Sequence, residues 1–176
     1  IDSVVQIIVV NELPQADFDI FPTDTICTEL EVNFEGNSTT NIVTWDWDFG
    51  DSNIGTGQDI SHIYNSSGGY EIQLVVENDN TCSDTVVDSV YIRELPIANI
   101  SYQPQDTSCL FDTVHFEGIS SDNIILWDWD LGDGTFASGQ NISHMYSQYG
   151  TYIISLVFSD VNGCNDTIVD SIYIQL

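Results

Sequence analysis

The chain has 176 residues, of which 28 are Asp or Glu against a single base, Arg93, giving a formal net charge of −27. That balance excludes nucleic acid as a partner, because neutralising phosphates takes Lys and Arg, and it sets the chain against an anionic lipid surface. No apolar run approaches the roughly 20 residues of a membrane-spanning helix, and the absence of lysine rules out Lys–Asn isopeptide crosslinks within the segment.

In chain order, the first element is the apolar run DSVVQIIVVNELP from Asp2, which reads as a strand. LEVNF then alternates, placing Leu30, Val32 and Phe34 on one face. A turn at Glu35 (EGNS) leads to WDWDFGD from Trp45. Successive side chains of a strand point to opposite faces, so Trp45, Trp47 and Phe49 share a buried face and Asp46 and Asp48 the outer one. The runs GDSNIGTG at Gly50 and NSSGG at Asn65 are turns. YEIQLVV from Tyr70 sets Tyr70, Ile72, Leu74 and Val76 inward; after ENDN at Glu77, VVDSVYI from Val86 is another strand. Short alternating strands with turns at this spacing predict an all-β sandwich or barrel.

The pattern then recurs. Trp45 and Trp127 are 82 residues apart, and the same offset aligns Cys27 with Cys109, Gly36 with Gly118, His62 with His144, Tyr70 with Tyr152 and Cys82 with Cys164. A repeat must be found before a fold is assigned. The offset also aligns Asp2 onward with Asp84 onward, where DTVVDSVYIRELP repeats the opening run. The expected organisation is therefore residues 1–11 as the last strand of an upstream module, 12–94 as module 1 and 95–176 as module 2, a slice of a longer array.

WDFGDS from Trp47, SHIY from Ser61 and GGYEIQLVV from Gly68 together resemble the PKD (polycystic kidney disease) module, and WDLGDG from Trp127, SHMY from Ser143 and GTYIISLVF from Gly150 repeat it in order. Leu131 stands where the family has Phe, and Ser52 where it has Gly. The resemblance implies two tandem immunoglobulin-like sandwiches, strands A, B and E facing C, F and G. It does not imply one function. Paired cysteines, tandem copies and the lack of lysine are further similar to the very large surface adhesins of Bacteroidetes, of the gliding-motility, type IX-secreted kind.

Within that frame Trp47 and Trp129 are expected as core residues of strand C, Tyr70 and Tyr152 as tyrosine corners bonded to backbone, and His62 and His144 as structural hydrogen-bond donors. His115 aligns with Asn33 on an outward face. No nucleophile elbow, HExxH or Gly-rich phosphate loop is present, so no enzyme activity is expected. Calcium is the ligand the composition suggests, since it takes carboxylate and carbonyl oxygens; Asp79, Asp84, Asp160 and Asp166, in the two turns between strands F and G, are the candidate donors. The recurring Asp-Ser/Thr-aliphatic pattern at Ser3, Thr25, Thr85, Ser89, Thr113, Thr167 and Ser171 resembles a Bacteroidetes O-glycosylation signal.

Two cysteines per module in a secreted-looking chain argue for disulfides. Two pairings stay open: Cys27–Cys82 with Cys109–Cys164 inside the modules, or Cys27–Cys164 between them. In the implied topology the A–B and F–G turns lie at opposite poles, which favours the second, while a long A–B loop folding back would allow the first. The functional expectation is an extracellular, cell-surface structural repeat of a large bacterial adhesin or fibre, a stiff spacer whose partners are neighbouring modules. The alternative is an accessory module of a secreted protein that itself binds surface glycans or other cell-surface proteins.

Overall fold

A computed structural model of the chain describes residues 10–23, 25–39, 41–104 and 108–176. The strand expected over 1–11 falls outside them except for Val10 and Asn11, as does Ser3. The described residues form two compact units, divided after Arg93. All their regular structure is β.

The first unit is a sandwich. One sheet has the order β1 (Ala16–Phe21), β3 (Glu31–Ser38), β6 (Asp59–Ile63). The other runs β2 (Ile26–Cys27), β8 (Ser83–Arg93), β7 (Gly68–Asn78), β4 (Ile42–Asp48), β5 (Ile54–Thr56). These are strands A, B, E against C, F, G, with β2 and β5 added at the two edges of the larger sheet. All pairings are antiparallel except β2 with β8, which is parallel. The second unit repeats the scheme with β9 (Asn99–Gln103), β11 (Thr113–Ile119), β14 (Asn141–Met145) against β10 (Ser108–Cys109), β16 (Asn165–Gln175), β15 (Gly150–Asp160), β12 (Ile124–Asp130), β13 (Phe136–Ser138).

Alternation builds each core as the sequence predicts. Val32, Phe34, Ile72, Leu74 and Val76 are fully buried between the sheets of the first unit, and Val114, Phe116, Ile154, Leu156 and Phe158 take the same places in the second. Leu30 departs from the prediction: it is 49% exposed, because it belongs to the turn before β3, where Glu29 adopts a φ of 66°. One feature carries no sequence signal. A bulge between Ile42 and Thr44, and again between Ile124 and Leu126, puts one extra residue into the strand ahead of the Trp pair. Val43 and Ile125 are turned to solvent there, and both Trp residues then face the core.

Gly36 shows why the first Trp needs a glycine opposite. A Cβ built on Gly36 would lie 2.6 Å from the ring of Trp45 and 2.8 Å from the carbonyl of Gln58; one on Gly118 would strike the ring of Trp127. The indole lies flat on backbone where any side chain would stand.

Candidate functional site

The string WDWDFGD brings five side chains to defined tasks in the first unit. Trp45 covers Gly36. Trp47 is 2% exposed and its Nε1 donates to the Gly57 carbonyl at 2.8 Å, closing the loop that holds β5. Asp48 accepts the Gly50 amide at 2.9 Å. Phe49 is buried, and its carbonyl accepts the Tyr64 hydroxyl at 3.1 Å. Asp51 accepts the Asn53 amide at 3.1 Å and, through Oδ2, the Nε2–H of His62 at 2.7 Å. His62 in turn stacks on Phe49, with ring centroids 4.3 Å apart, and meets Tyr64 edge-on at 4.6 Å.

The second unit rebuilds the same set. Trp129 donates to the Gly139 carbonyl at 2.9 Å, Asp130 accepts Gly132 N at 2.9 Å, Tyr146 donates to the Leu131 carbonyl at 3.1 Å, and His144 meets Asp133 at 2.8 Å. Tyr70 and Tyr152 donate to the carbonyls of Ser66 and Gln148, each at 2.8 Å. The histidines' expected structural role is thus given its partner, a carboxylate eleven residues earlier that the sequence reading did not pair with it.

The electrostatics of this set serve folding. Burial alone would raise the Asp51 and Asp133 carboxyls; the hydrogen bonds from His62 with Asn53, and from His144 with Thr135, outweigh it and hold both below the usual range. Burial, with the Asp51 or Asp133 charge behind it, drives the Tyr64 and Tyr146 phenols far above their ordinary value. A phenol that cannot ionise near neutrality has no proton to trade. The lowered carboxyls carry a sign. Their stabilisation is complete above the unfolded carboxylate pKa of about 3.9 and is lost as pH falls through the depressed folded values. Urea melts of the wild-type chain and an Asp51→Asn, Asp133→Asn double variant are therefore expected to differ at pH 7. Below about pH 4 the difference shrinks. A gap that widened in acid would contradict this.

The four hairpin acids proposed as cation ligands do not act together. Asp160 is 9% exposed and its Oδ1 accepts Asn162 N at 2.9 Å and Cys164 N at 3.0 Å, while Oδ2 accepts Asn162 Nδ2 at 2.8 Å. Burial would raise its pKa, but these donors, with Gly163 N, hold it low. Asn78 stands at the equivalent place and caps the same turn, its Oδ1 accepting Asn80 N and Cys82 N, each at 3.0 Å. A neutral amide does the work of the carboxylate, so the turn asks for an oxygen and not a charge. Asp84 accepts Ala16 N at 2.9 Å, Asp79 accepts Asn80 Nδ2 at 2.8 Å and Asp166 accepts Thr167 N at 2.7 Å. Among the described residues no group of three or more His, Cys, Asp or Glu is placed to hold a metal ion.

The cysteines divide into two bonded and two free. Cys27 and Cys164 are each disulfide-bonded, whereas Cys82 and Cys109 are free thiols. The intramodule pairs Cys27–Cys82 and Cys109–Cys164 are therefore corrected, and the topology of each unit gives the reason. Cys27 is in register with Arg93, the last residue of β8, while Cys82 sits just before Ser83, the first. An 11-residue strand separates them, about 33 Å at roughly 3.3 Å per residue, against the ~7 Å that a disulfide tolerates between Cα atoms. Cys109, in register with Gln175 at the far end of β16 from Cys164, repeats the separation.

The outer face of the last strand is the surface that repeats. Thr85, Val87, Ser89 and Tyr91 of β8 are exposed, and so are Thr167, Val169, Ser171 and Tyr173 of β16, the same residues in the same order. Tyr91 and Tyr173 are 63% and 58% exposed. Of the remaining candidate glycosylation residues, Thr113 is exposed and Thr25 half-buried.

The chain is similar to parts of known proteins. The pre-pro-metalloprotease PrtV of Vibrio cholerae is 27% identical over 143 residues, 79% of this chain and 15% of that protein. The collagenase ColA of Clostridium perfringens is 33% identical over 109 residues, 59% of this chain and 9% of that one. The chain thus spans a small fraction of either relative. Among solved structures, the PKD1 domain of Vibrio anguillarum Epp matches at 25% identity with a TM-score of 0.41, covering 47% of this chain and 95% of its own. The family model described as PKD domain matches twice, over residues 11–93 and 93–176. With both halves of the sequence matched and both folded as A-B-E against C-F-G sandwiches, the chain belongs to the PKD domain family.

Proposed function

We propose that this segment is a non-catalytic structural repeat of an extracellular bacterial protein, a spacer that holds other domains at a distance. The observation that carries the reading is the fate of the repeated motif residues. Trp47, Asp51, His62, Tyr64 and Tyr70, with their counterparts in the second unit, are all consumed by packing and hydrogen bonds inside their own sandwich. What repeats is a scaffold, and self-repulsion from the net charge of −27 keeps such modules from collapsing on one another. The extracellular setting is supported by the bonded cysteines and by ColA, whose name gives an extracellular protein as its substrate. The finer placement, in a surface adhesin of the gliding-motility type exported by type IX secretion, rests on the paired cysteines and the absence of lysine. The test is exchange. In the parent protein, replacing these two modules with two unrelated β-sandwiches of equal length should leave adhesion intact. Loss of adhesion would show that the modules themselves bind.

The repeated stripe on β8 and β16 favours a second reading, a glycan- or protein-binding face centred on Tyr91 and Tyr173. A glycan array probed with the wild-type chain and with a Tyr91→Ala, Tyr173→Ala double variant separates the two, because only the binding reading gives signal that the variant loses. The same strands present Thr85, Ser89, Thr167 and Ser171 for O-glycosylation, which native material would reveal as an intact mass above that of the polypeptide.

Calcium is not needed by either reading. The ion takes six to eight oxygens, and each of the four carboxylates already accepts an amide donor, from its own turn or strand or, for Asp84, from Ala16 of β1. Equal melting temperatures with calcium and with a chelator are the expected result. A calcium-dependent rise of several degrees would restore the hairpin acids as a cation site.

A further inference from the structure

We propose that the first unit carries a saccharide site in the groove between β1 and β8, built on Tyr91 and Arg93 and selective for neutral sugars. The inference rests on the second reading above and narrows it to one unit and one class of ligand.

The groove comes from the way the sandwich is edged. β1 pairs with β3 and β8 with β7; among the described residues β8 has a second neighbour only at Ile92 and Arg93, where β2 lies on it. At the other end Ala16 N donates to Asp84 Oδ2 at 2.9 Å and ties the two edges together. Between these closures the sheets part and leave a groove of about 610 Å³, inside the roughly 300–1,000 Å³ of small-molecule sites. Asp88 records the parting. It is in phase with Val90 and Ile92, which are buried, yet it is exposed.

The lining suits a polyol. The guanidinium carbon of Arg93 lies 5.5 Å from the centroid of the exposed Tyr91 ring. A cation over an aromatic face is held there, so a fork of five N–H donors stands beside a flat apolar surface. Arg93 is the one base in a chain with 28 acids, and among the described residues no carboxylate pairs with it. Asp88 supplies an acceptor: its Oδ1 takes the Ser89 amide at 2.7 Å, which leaves Oδ2 for a ligand hydroxyl. Thr23 and Thr25 line the same groove. A sugar ring has C–H groups on its face and hydroxyls at its rim, and this set answers both, with an aromatic surface for the one and fixed polar groups for the other.

Charge decides the class of sugar. Asp19 and Asp88 line the groove with Arg93, and the net charge around them is −27. A uronate would gain one exposed ion pair, worth about 0–1 kcal/mol, against the repulsion of that whole field. A neutral sugar uses the same donors and meets no repulsion.

The second unit is an internal control. Gln175 stands in the place of Arg93, and Tyr102 in that of Ile20. The Tyr102 hydroxyl lies 3.5 Å from the Ser171 carbonyl, so a phenol crosses from β9 to β16 where the first unit has the shorter Ile20 in the groove wall. Tyr173 therefore has no guanidinium beside it.

The test is an array of neutral glucans, mannans, galactans and xylans beside polygalacturonate, probed with the full chain, followed by titration calorimetry with an oligosaccharide of the best neutral hit. The wild-type chain should bind a neutral glycan and leave polygalacturonate unbound. Arg93→Gln, which copies the second unit, should weaken binding about ten- to hundredfold, the loss expected for hydrogen bonds from a charged donor. Tyr91→Ala should abolish binding, Tyr91→Phe should keep it, and Tyr173→Ala should change nothing. Binding that survives Arg93→Gln, or that Tyr173→Ala removes, overturns this site and leaves the broader binding face standing. Preference for polygalacturonate overturns the neutral class. A wild-type chain that binds no glycan overturns both the site and the reading beneath it. Tyr91 and Arg93 are exposed, so the variants should share the wild-type melting temperature, which checks folding.

Discussion

Trp47→Ala is expected to bring the first module to the edge of unfolding at ordinary temperature and leave the second at full stability. Trp47 is buried against Phe18, Phe34 and Phe49, with ring centroids at 5.2, 5.7 and 6.4 Å. Deleting a buried Trp costs about 3–5 kcal/mol, because the cavity adds to the lost transfer energy. The loss of the Nε1 donor strands the Gly57 carbonyl and adds about 1 kcal/mol. A domain of this size is held by only about 5–15 kcal/mol, so the module falls to the edge of stability. The two cores share no residue, which makes Trp129→Ala the mirror experiment, weakening the second module instead. Urea denaturation followed by near-ultraviolet circular dichroism should show one early and one unchanged transition in each variant. A loss below about 1 kcal/mol, the level of an average substitution, would mean that this indole is not the centre of its core.

The sequence made that centre visible because a period of two, read against an exact repeat, is a strong signal. Strands B, C, F and G and the inward Trp and Phe residues with Leu74 and Leu156 follow from alternation alone, and Tyr70 and Tyr152 from their place at the start of strand F. What escaped was short or relational. β2 and β5 are two and three residues long, too brief for any period, yet β2 is what locates Cys27 at the end of β8. The bulges at Val43 and Ile125 look like ordinary strand residues until the partner strand is seen. Asp51 and His62 are joined across a turn, a pairing that spacing alone does not announce. The hairpin acids have local partners that their sequence does not announce. Asn78 opposite Asp160 in the aligned modules already showed that the position needs a side-chain oxygen to accept the amides of its turn.

The largest effect expected from a single small atom group is at Gly50, and its twin Gly132. Gly50 follows Phe49 with a φ of +77°, and Gly132 follows Leu131 with a φ of +78°. An L residue in this left-handed region costs roughly 1–2 kcal/mol. Space then adds a second cost. A Cβ on Gly50 would lie 2.5 Å from the Glu71 carbonyl oxygen and 3.0 Å from its amide nitrogen, and one on Gly132 would strike the Ile153 carbonyl oxygen. These atoms belong to β7 and β15, the central strands whose neighbouring residues Ile72 and Ile154 are fully buried. A flexible side chain could swing aside; a backbone carbonyl in a sheet ladder moves only with its strand. Overpacking of that kind costs typically about 1–3 kcal/mol more. The same glycine amide donates to Asp48, or Asp130, so a displaced turn also loosens the Asp51–His62 and Asp133–His144 locks that begin one residue later. Gly50→Ala is therefore expected to destabilise module 1 by about 2–5 kcal/mol, about twice what Gly134→Ala costs module 2. Gly134 shares a positive φ of 89° but has nothing within 4 Å of the new Cβ, so it measures the conformational cost alone. Denaturation midpoints of the two variants settle the matter: equal losses would show that the clash with the central strand contributes nothing, and that the turn after the Trp pair needs glycine for its dihedral angle only.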